Sequence, residues 1–489
     1  MIMTVRELER LIAGIESGDE RVISSIEYNS ANCRKNSVFF CFPGLHTSGT
    51  LFIPEAVKNG AIAVVTTEEI KDKIARVKYI IVQGNIRHLY AISSSAFFND
   101  PWKKLVMIGV TGTDGKSSTS DFIYQLLKLQ GIKCALLSTI YMDDGSGKAY
   151  SPYRQSTPEA FIVEEFLSVS LKNGCTHVVL ECTSHALSLE YDRLAPIHFD
   201  ASAFTKISSE HLEFHKTIKN YILSKLRLAL LTKETNAFIY SDNKANEYMN
   251  EETKNHFTFL EKVKPFSISE EKSEYSYNGK VYSFPFSEEY MLENGFEAAS
   301  LVSKITGKDI DEVLKYAEKL KHIKGRSERI NNTIGRNIII DFAHTPDSFH
   351  SLFSSYRKLY PNGDFIALFG AAGNRDKSKR AGLGREAARF AKYIIITEED
   401  PREEREEDIA NDIILGIPDS LKSRCNILVI NDRCEAIQKA IELSQSGDTI
   451  FFLGKGHETS IEKNGNKIPY SEYSAVEDVL RRCSCSCRK

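Results

Sequence analysis

Residues 109–119 read GVTGTDGKSST, and they stand between an apolar run at 105–110 and an amphipathic stretch at 121–130. The apolar run predicts a buried strand, and the amphipathic stretch predicts a helix. A glycine-rich loop between a strand and a helix is typical of a phosphate-binding loop, because the first N–H groups of the helix lack partners and face the ligand. This stretch therefore predicts an α/β domain that binds a nucleotide.

Four residues of this loop suit a bound triphosphate. Gly112 and Gly115 let the backbone approach the phosphate oxygens, and the Lys116 ammonium can reach the β- and γ-phosphates. The hydroxyl of Ser117 is a suitable ligand for Mg²⁺. The spacing differs from the common GxxxxGKS/T loop, because residue 110 is valine. The loop is a tighter variant, GTDGKS, which narrows the range of nucleotide-binding classes.

Length and charge limit the class of protein. The chain has 489 residues and a formal net charge of −3, so we expect about three domains of a globular enzyme. Its lysines and arginines are dispersed rather than gathered in a stripe, which predicts no nucleic-acid partner. There is no apolar run of about eighteen residues, and the first residues do not read as a signal peptide. We therefore expect no membrane insertion and a cytoplasmic location.

The ten cysteines fall into two groups. Those at positions 33, 41, 134, 175, 182, 425 and 434 have no metal-ligand spacing, and we interpret them as buried thiols in a reducing compartment. Those at 483, 485 and 487 alternate with serine and could bind a soft metal. We favour the interpretation that they form an incidental polar tail after the last helix.

The pattern of apolar runs predicts an α/β fold in three domains, at 1–100, 101–325 and 326–489. Residues 100–104 (DPWKK) resemble a linker between the first two. Residues 265–290 are polar and predict short β-hairpins, followed by a helix at 297–306. We predict strands at 37–42 and 61–66 around a helix at 53–59, then at 133–137, 176–181, 201–205 and 237–241, and finally at 337–341, 365–369, 393–397, 425–430 and 449–453.

Polar clusters follow four of the predicted strands of the third region, which we interpret as a second open α/β sheet. They lie at 341–344, 370–375, 399–402 and 454–458. Ligands of open α/β sheets bind outside the carboxyl ends of the strands. These clusters are therefore candidates for a binding site.

Four further positions in the central region carry candidate chemistry. Glu181 ends the apolar run HVVLE and is well placed to hold a cation near the phosphates; the alternative is that it caps a helix. His211 and His215 are four residues apart, so a helix would place them on one face. Leu212 stands where a zinc protease needs glutamate, which excludes that class. Taken alone, the histidines are interpreted as structural, and Lys225 as a lysine whose ammonium reaches solvent.

Together these pieces resemble the Mur ligases, and within them the MurE type. The resemblance covers about residues 28–458. It implies an N-terminal domain for a UDP moiety at 1–100, a central ATP-binding ligase domain at 101–325 and a Rossmann-like C-terminal domain at 326–489. The matching motifs, in chain order, are GTDGKSS, STPEA, ECTSHAL, FTKISSEHLEFH, SKLRL, GRSERI, DFAHTPDSF, GAAGNRDKSKR, EEDPR and GKGHE.

The resemblance also implies roles for individual residues. Lys116, Glu181, His211 and Lys225 are the implied catalytic residues, and Ser117, Glu181, His211 and a carbamylated Lys225 are the implied Mg²⁺ ligands. The implied ATP site comprises Gly112, Thr113, Asp114, Gly115, Lys116, Ser117, Ser118, Asn294, Arg326, Asp341 and His344. The implied UDP-sugar-peptide site comprises Ser30, Ser156, Thr157, Ser184 and Arg193, and the implied site for the acceptor amino acid comprises Asp400, Pro401, Arg402, Gly454 and Glu458.

The reaction implied by the resemblance is an ATP-dependent ligation in peptidoglycan precursor synthesis. A diamino acid, either meso-diaminopimelate, L-lysine or L-ornithine, would be added to UDP-N-acetylmuramoyl-L-Ala-D-Glu through an acyl phosphate. ADP and phosphate would be released, and the protein is expected to be a monomer. The alternatives are another Mur-type ligase, a folylpolyglutamate-type ligase and a nucleotide-binding relative without catalytic activity.

Several positions depart from the family pattern. Lys206 replaces asparagine, which would bring a positive charge beside the second metal site, and Tyr191 replaces an arginine for which Arg193 could substitute. Asp400 replaces the asparagine of DNPR, so we expect a carboxylate beside Arg402. The retained arginine favours diaminopimelate, whereas an arginine neutralised by this aspartate favours lysine or ornithine. The sequence leaves this choice open.

Overall fold

A computed structural model describes residues 3–44, 47–153 and 155–486, with only the backbone described for residues 483–486. The first region forms a four-stranded parallel sheet in which neighbours in the chain are neighbours in the sheet. Its apolar side chains, such as Val38, Phe40 and Val65, form the core of this region with the flanking helices. The elements are α1 Val5–Ala13, β1 Ser25–Glu27, β2 Ser37–Phe40, α2 Ile53–Lys58, β3 Ala61–Thr66, β4 Lys78–Ile81 and α3 Ile86–Phe97.

A 3₁₀-helix at Pro101–Lys104 leads into the central region. Its first strands and helices are β5 Val106–Thr111, α4 Lys116–Leu129, β6 Cys134–Leu137, β7 Tyr141–Asp143, β8 Ala149–Tyr150, α5 Ala160–Lys172, β9 His177–Glu181, α6 Ser184–Leu187 and β10 Ala201–Phe204. They are followed by α7 Leu212–His215, α8 Ile218–Leu230, β11 Ala237–Tyr240, α9 Glu251–Lys254 and β12 Phe257–Leu260.

The eight-stranded central sheet has the order β12-β11-β10-β5-β9-β6-β7-β8, and only the pairings of β7 are antiparallel. Strand β5, which leads into the glycine loop, therefore lies between β10 and β9 in the interior of the sheet. Its side chains are almost entirely buried, as the apolar run predicted. The carboxyl ends of β5, β9 and β10 thus bring Thr111, Glu181 and Phe204 to one edge.

The polar segment after the central sheet forms a three-stranded antiparallel sheet, β13 Pro265–Ile268, β14 Ser273–Tyr277 and β15 Lys280–Phe284. It is followed by α10 Glu289–Thr306 and α11 Ile310–Ala317. The prediction that the first of these helices begins at residue 297 was wrong by eight residues. Gly295 weakened the helical signal, and its lack of a Cβ is needed because the Phe284 ring would lie 2.2 Å from one.

The third region contains a six-stranded sheet in the order β16-β17-β21-β18-β19-β20, in which only β16 is antiparallel. Its elements are β16 Glu328–Arg329, β17 Asn337–Asp341, α12 Pro346–Leu359, β18 Phe365–Phe369, α13 Ser378–Phe390, β19 Tyr393–Ile396, α14 Glu406–Leu415, α15 Asp419–Lys422, β20 Asn426–Val429, α16 Arg433–Leu443 and β21 Thr449–Leu453. A hairpin, β22 Ser460–Lys463 and β23 Asn466–Pro469, and the helix α17 Glu472–Ser486 follow.

Two expectations about cysteine need correction. Cys434 is exposed, whereas the other six cysteines of its group are buried free thiols. Helix α17 continues to Ser486, so Cys483 and Cys485 lie within it rather than on a tail beyond it. Their side chains and all of Cys487 lie outside the described residues. Among the described residues, no helix combines the length and the apolar character that a membrane span requires.

Candidate functional site

The glycine loop lies at the carboxyl end of β5 and leads directly into α4. Gly112 has φ +149°, and a Cβ at this position would lie 1.8 Å from Thr205 Oγ1, so only glycine fits. Gly115 has φ +91° and is the N-cap of α4. A Cβ on Gly115 would lie 2.7 Å from Oδ1 of Asn294, which places this residue of the implied ATP site against the loop. The loop backbone is therefore free to approach a ligand closely.

The loop is fixed by its neighbours on the adjacent strand end. The carbonyl of Lys206 accepts hydrogen bonds from the N–H groups of Thr113 and Asp114, at 2.8 and 3.3 Å. The Thr113 hydroxyl lies 2.8 Å from that of Tyr221 on α8 and accepts from Ser208 N at 2.9 Å. Because these contacts do not involve the N-terminal amides of α4, the loop is held in place without blocking its anion-binding end.

Lys116, Ser117 and Glu181 stand together at this end of the sheet. The Lys116 ammonium donates to the carbonyl of Thr113 at 2.7 Å, folding back over its own loop. Ser117 Oγ donates to Glu181 Oε2 at 3.0 Å. Thr139, which the sequence did not single out, donates to the same oxygen through its N–H and its hydroxyl, at 3.0 and 2.9 Å. Ser118, in the first turn of α4, is buried.

The hydroxyl of Ser117 and the carboxylate of Glu181 are oxygen donors of the kind that Mg²⁺ prefers. Among the described residues, no group of three or more His, Cys, Asp or Glu side chains could hold a metal ion. A Mg²⁺ at this pair would therefore take further ligands from nucleotide phosphates or water, as is usual for this ion. The donor set fits a nucleotide-bound magnesium ion.

The interpretation of Lys225 as a lysine whose ammonium reaches solvent was wrong, because the side chain is buried. It is 1% exposed, and its ammonium donates to the carbonyl of Gly112 at 2.6 Å and lies 4.5 Å from the Tyr221 ring centre. Burial lowers the pKa of Lys225 well below its ordinary value, and the charge of Lys116 lowers it further. The sequence could not predict this, because the burial comes from α8 packing under the loop.

The two histidines do not share a helical face. His211 has φ +56° and precedes the single-turn helix α7, whereas His215 ends that helix. Their rings approach each other through His185, at 5.0 and 5.5 Å between ring centres. His211 lies 3.6 Å from Glu210 and 3.5 Å from Glu213. Burial lowers the pKa of His215 to about 4, so this ring is neutral at physiological pH.

The C-terminal region contributes three predicted residues to its contact with the central region: Arg326, Asp341 and His344. Asp341 ends β17, and its two carboxylate oxygens accept from the N–H groups of Ser327 and Ala343, each at 2.6 Å. The Arg326 guanidinium lies 4.5 Å from the Phe342 ring centre. Burial lowers the pKa of Arg326, while the charges of Asp341, Glu181 and Asp114 oppose the change. These electrostatic interactions connect the region to the phosphate loop.

Direct hydrogen bonds also join the two regions. His344 Nε2 lies 2.9 Å from Glu210 Oε1, and the Thr345 hydroxyl donates to Asp114 at 3.2 Å. Burial and the charge of Lys379 lower the pKa of His344, but the hydrogen bond to Glu210 and the charges of Glu210 and Asp114 together outweigh them, so the pKa is raised. Lys206 was expected beside a metal site. Instead its ammonium contacts the carbonyl of Asp347 and the hydroxyl of Ser351 on α12, at 3.3 and 3.0 Å.

Three of the residues predicted for the UDP-sugar-peptide site lie next to the phosphate loop. The Thr157 hydroxyl donates to the carbonyl of Glu181 at 2.7 Å, and Ser156 Oγ accepts from Thr139 at 2.6 Å. Ser184 Oγ lies 3.0 Å from His215 Nε2. Ser30 lies in the first region, where its hydroxyl donates to Glu55 at 2.6 Å. Among the described residues, its hydrogen bonds do not reach the other predicted members of the UDP-sugar-peptide site.

Arg193 has its charge already matched. Its guanidinium is buried, pairs with Glu159 at 2.6 Å and donates to the carbonyl of Thr157 at 2.9 Å. Arg193 therefore orients the Thr157 segment rather than offering a free guanidinium to a ligand. This differs from the suggestion that Arg193 substitutes for the substrate-binding arginine that Tyr191 replaces.

The predicted acceptor residues form one cluster, but their pairing differs from the prediction. Asp400 Oδ1 contacts the Lys455 ammonium at 2.9 Å, and Lys455 also contacts Glu458 at 2.5 Å. Arg402 instead lies 3.3 Å from Glu462 of β22. The expected carboxylate beside Arg402 is therefore present, but it comes from Glu462 and not from Asp400. The sequence did not predict these two pairings, because the partners of Asp400 and Arg402 lie about sixty residues from the EEDPR segment.

Two glycines, Gly373 and Gly454, allow the backbone to pack closely against this cluster. Gly373 N donates to the carbonyl of Asp400 at 2.8 Å, and a Cβ on Gly373 would lie 1.9 Å from the carbonyl oxygen of Pro401. Gly454 has φ +96°, and a Cβ there would lie 2.5 Å from Glu399 Oε2. Glu399 Oε2 is buried without a hydrogen-bond partner among the described residues. The ends of β18, β19 and β21 thus meet at one acidic site.

Comparisons with known proteins agree with this architecture. Residues 22–100 match the Mur ligase family, catalytic domain; residues 110–310 match the Mur ligase middle domain; and residues 325–456 match the Mur ligase, glutamate ligase domain. The chain is 37% identical to a UDP-N-acetylmuramyl-tripeptide synthetase of Borreliella burgdorferi, with 96% of this chain and 95% of the relative covered. It is 33% identical to a UDP-N-acetylmuramoyl-L-alanyl-D-glutamate–2,6-diaminopimelate ligase of Caldanaerobacter subterraneus, over 94% and 95%.

Solved structures share the fold. A structure of a UDP-N-acetylmuramoyl-L-alanyl-D-glutamate–2,6-diaminopimelate ligase has a TM-score of 0.62 at 24% identity, covering 99% of this chain and 100% of that chain. MurF ligase from Thermotoga maritima in complex with ADP has a TM-score of 0.62 at 18% identity, over 94% and 97%. With full-length relatives above 30% identity, the chain belongs to the Mur ligase family of ATP-dependent ligases.

Proposed function

We propose that this ligase joins a diamino acid to UDP-N-acetylmuramoyl-L-alanyl-D-glutamate, forming a tripeptide precursor of peptidoglycan. The relatives named above support the donor, since their names specify the tripeptide synthetase reaction or its dipeptide substrate. We assign the UDP moiety to residues 1–100, ATP to 101–325 and the acceptor to 326–489. The observation that carries the proposal is the buried Lys225 beneath the phosphate loop, near Glu181.

The buried lysine suits a carbamate. Its lowered pKa leaves a neutral amine, which can add to CO₂ with loss of a proton and form a carbamate anion. That anion would supply the oxygen ligand that this part of the site otherwise lacks. Mg²⁺, when bound, would offset the repulsion between the donor carboxylate and the triphosphate. Ser117, Glu181, His211 and the modified Lys225 are the residues that would hold it.

The chemistry we propose proceeds in two steps. The carboxylate of the D-glutamate residue attacks the γ-phosphorus of ATP, which forms an acyl phosphate and releases ADP. The amine of the diamino acid then attacks the acyl carbon, and phosphate leaves. Lys116 and the amides at the start of α4 would hold the triphosphate, while Asn294, Asp341, Arg326 and His344 would position the nucleotide. Activation is needed because a free carboxylate is a poor acyl donor.

For the acceptor, the ion pairs favour L-lysine or L-ornithine over meso-diaminopimelate. Arg402 would need a free guanidinium to bind a distal carboxylate bidentately, but Glu462 already lies beside it. Glu399 adds a buried carboxylate oxygen that has no hydrogen-bond partner in the described part of the chain. An ammonium at the distal end of the acceptor would complement these carboxylates.

Phosphate release measured with the donor and each of the three diamino acids tests the proposal. We expect release to require both substrates and to be faster with lysine or ornithine. If the D-glutamate carboxylate is labelled with ¹⁸O, the acyl-phosphate route transfers one label to the released phosphate. ATP hydrolysis that ignores the donor would contradict the ligase assignment. Activity with a different peptide donor, or with a folate as the carboxylate donor, would favour another member of the family.

A further inference from the structure

Arg87 lies where the first and central regions meet. It is in the first turn of α3, where the N-cap Asn85 accepts a hydrogen bond from its N–H. The Arg87 guanidinium carbon lies 4.3 Å from the Phe42 ring centre of the same region and 4.6 Å from the Tyr191 ring centre of the central region. The side chain is half-buried. The guanidinium is thus held between two aromatic rings, one from each side of the cleft that separates the first and central regions.

These contacts leave the charge of Arg87 unmatched. Among the described residues, no carboxylate lies within 4.0 Å of its guanidinium, and its hydrogen bond to the carbonyl of Pro43 is long, at 3.3 Å. Stacking uses the faces of a guanidinium and leaves its N–H groups available for a bidentate anion. Arg193, the other arginine on the Tyr191 ring, is neutralised by Glu159. Of the two described arginines on the Tyr191 ring, Arg87 is therefore the one available to an anion.

The position of this arginine matches one anionic group of the proposed donor. From Tyr191 a row of ring contacts leads to His185, 6.1 Å away, and then to His211, a further 5.0 Å away, beside the reacting end. If the D-glutamate carboxylate lies near the phosphate loop and the uridine lies in the first region, the diphosphate falls between them. The peptide carboxylates would be at the far end of this row, away from Arg87.

We propose that Arg87 binds the diphosphate of the UDP-linked donor and that the Phe42 and Tyr191 rings hold its guanidinium in place. The inference rests on the proposed function. It also accounts for Tyr191 at a position where the family pattern has arginine, because the ring positions a guanidinium that comes from the other side of the cleft.

Arg87→Met tests the inference, since methionine retains apolar packing against the rings and removes the charge. We expect the KM for the UDP-linked donor and the inhibition constant of UDP to rise about 10- to 100-fold, with kcat and the KM for ATP unchanged. Arg87→Lys should recover only part of the affinity, because an ammonium cannot bind a diphosphate bidentately. Arg10→Met, on an exposed side chain of α1, is the matched control.

A donor without the nucleotide, N-acetylmuramoyl-L-Ala-D-Glu, separates binding from packing. The wild type and Arg87→Met should use it with equal kcat/KM if Arg87 contacts the diphosphate. An equal loss with both donors would show that Arg87 only packs the two regions together, and an unchanged KM and UDP affinity would also overturn the inference. If the wild type forms no tripeptide, the proposed function fails, whereas calorimetric binding of UDP to both proteins still tests Arg87.

Discussion

The groups around the ammonium of Lys225 determine the protonation state of this lysine. In water a lysine is protonated at neutral pH and does not react with CO₂. Here burial and the positive charge of Lys116 disfavour the protonated form, and the carbonyl of Gly112 accepts one hydrogen bond from the nitrogen. A single change on α8 should therefore remove the proposed carbamate, together with the hydrogen bond that Lys225 donates to Gly112 of the nucleotide loop.

We predict that Lys225→Ala lowers the ligation rate by at least about 100-fold, since a ligand-forming anion beside the triphosphate is lost. Acetate or propionate should restore part of the activity by occupying the vacated space as a carboxylate. Steady-state phosphate release with and without these anions provides the measurement. Lys219→Ala, at an exposed position of the same helix, is the control and should remain fully active. Full activity of Lys225→Ala would rule out the carbamate.

At the scale of elements, helices α3 and α5 pack across the junction of the first two regions with a carboxyl group between them. Glu164 on α5 is 1% exposed. Burial raises the pKa of Glu164 to about 8, the Ser95 hydroxyl of α3 opposes the change, and the charge of Asp100 adds to it. Glu164 is therefore protonated in the folded protein at neutral pH, whereas in the unfolded chain its pKa is about 4.5.

Glu164→Gln should therefore stabilise the protein in a pH-dependent way. Between pH 4.5 and about 8 the folded wild type retains a proton that the unfolded chain has lost, so its free energy of unfolding falls as pH rises through this range. Glutamine carries no such proton. We expect little difference from the wild type near pH 4.5 and an advantage that grows by up to about 1.4 kcal/mol per pH unit.

Urea unfolding from pH 4.5 to 9 measures this effect. Glu165→Gln, at the exposed neighbouring position, should follow the wild-type curve. Parallel pH profiles of Glu164→Gln and the wild type would contradict a protonated Glu164 in the packed helices.

The sequence predicted elements better than it predicted side-chain partners. The apolar runs identified the central strands of the two large sheets, and the glycine loop identified α4, because buried parallel strands and phosphate loops have strong local patterns. The start of α10 was missed because Gly295 weakens the local helical pattern. This glycine is required by the close approach of the Phe284 ring, which the sequence does not reveal. The pairing of Asp400 with Lys455 was missed as well, because ion pairs between distant segments have no local signal.

Polar side chains join the three regions of the protein to one another. Asn85 donates to the carbonyl of Leu189 at 2.6 Å, and His88 lies 2.7 Å from Asp192, which joins the first region to the central one. On the other side, Glu210 and His344 join the central region to the C-terminal one. Aromatic packing adds to these bonds at the first junction, where the ring centre of Phe161 on α5 lies 5.6 and 5.0 Å from those of Phe97 and Phe98.

We predict that His344→Ala opens the junction between the central and C-terminal regions. Glu210 would lose its hydrogen-bond partner across the junction, and α12 would be held by Thr345–Asp114, by the Lys206 contacts and by the bonds of Tyr356 and Lys358 to Glu288 and Glu289. Small-angle scattering should show a larger radius of gyration. The KM for ATP should rise about 10-fold, because Asp341 and Arg326 would be displaced from the phosphate loop. His350→Ala is the control, since His350 pairs with Glu386 inside the C-terminal region. An unchanged radius of gyration together with an unchanged KM would show that the other contacts suffice, and that closure does not depend on His344.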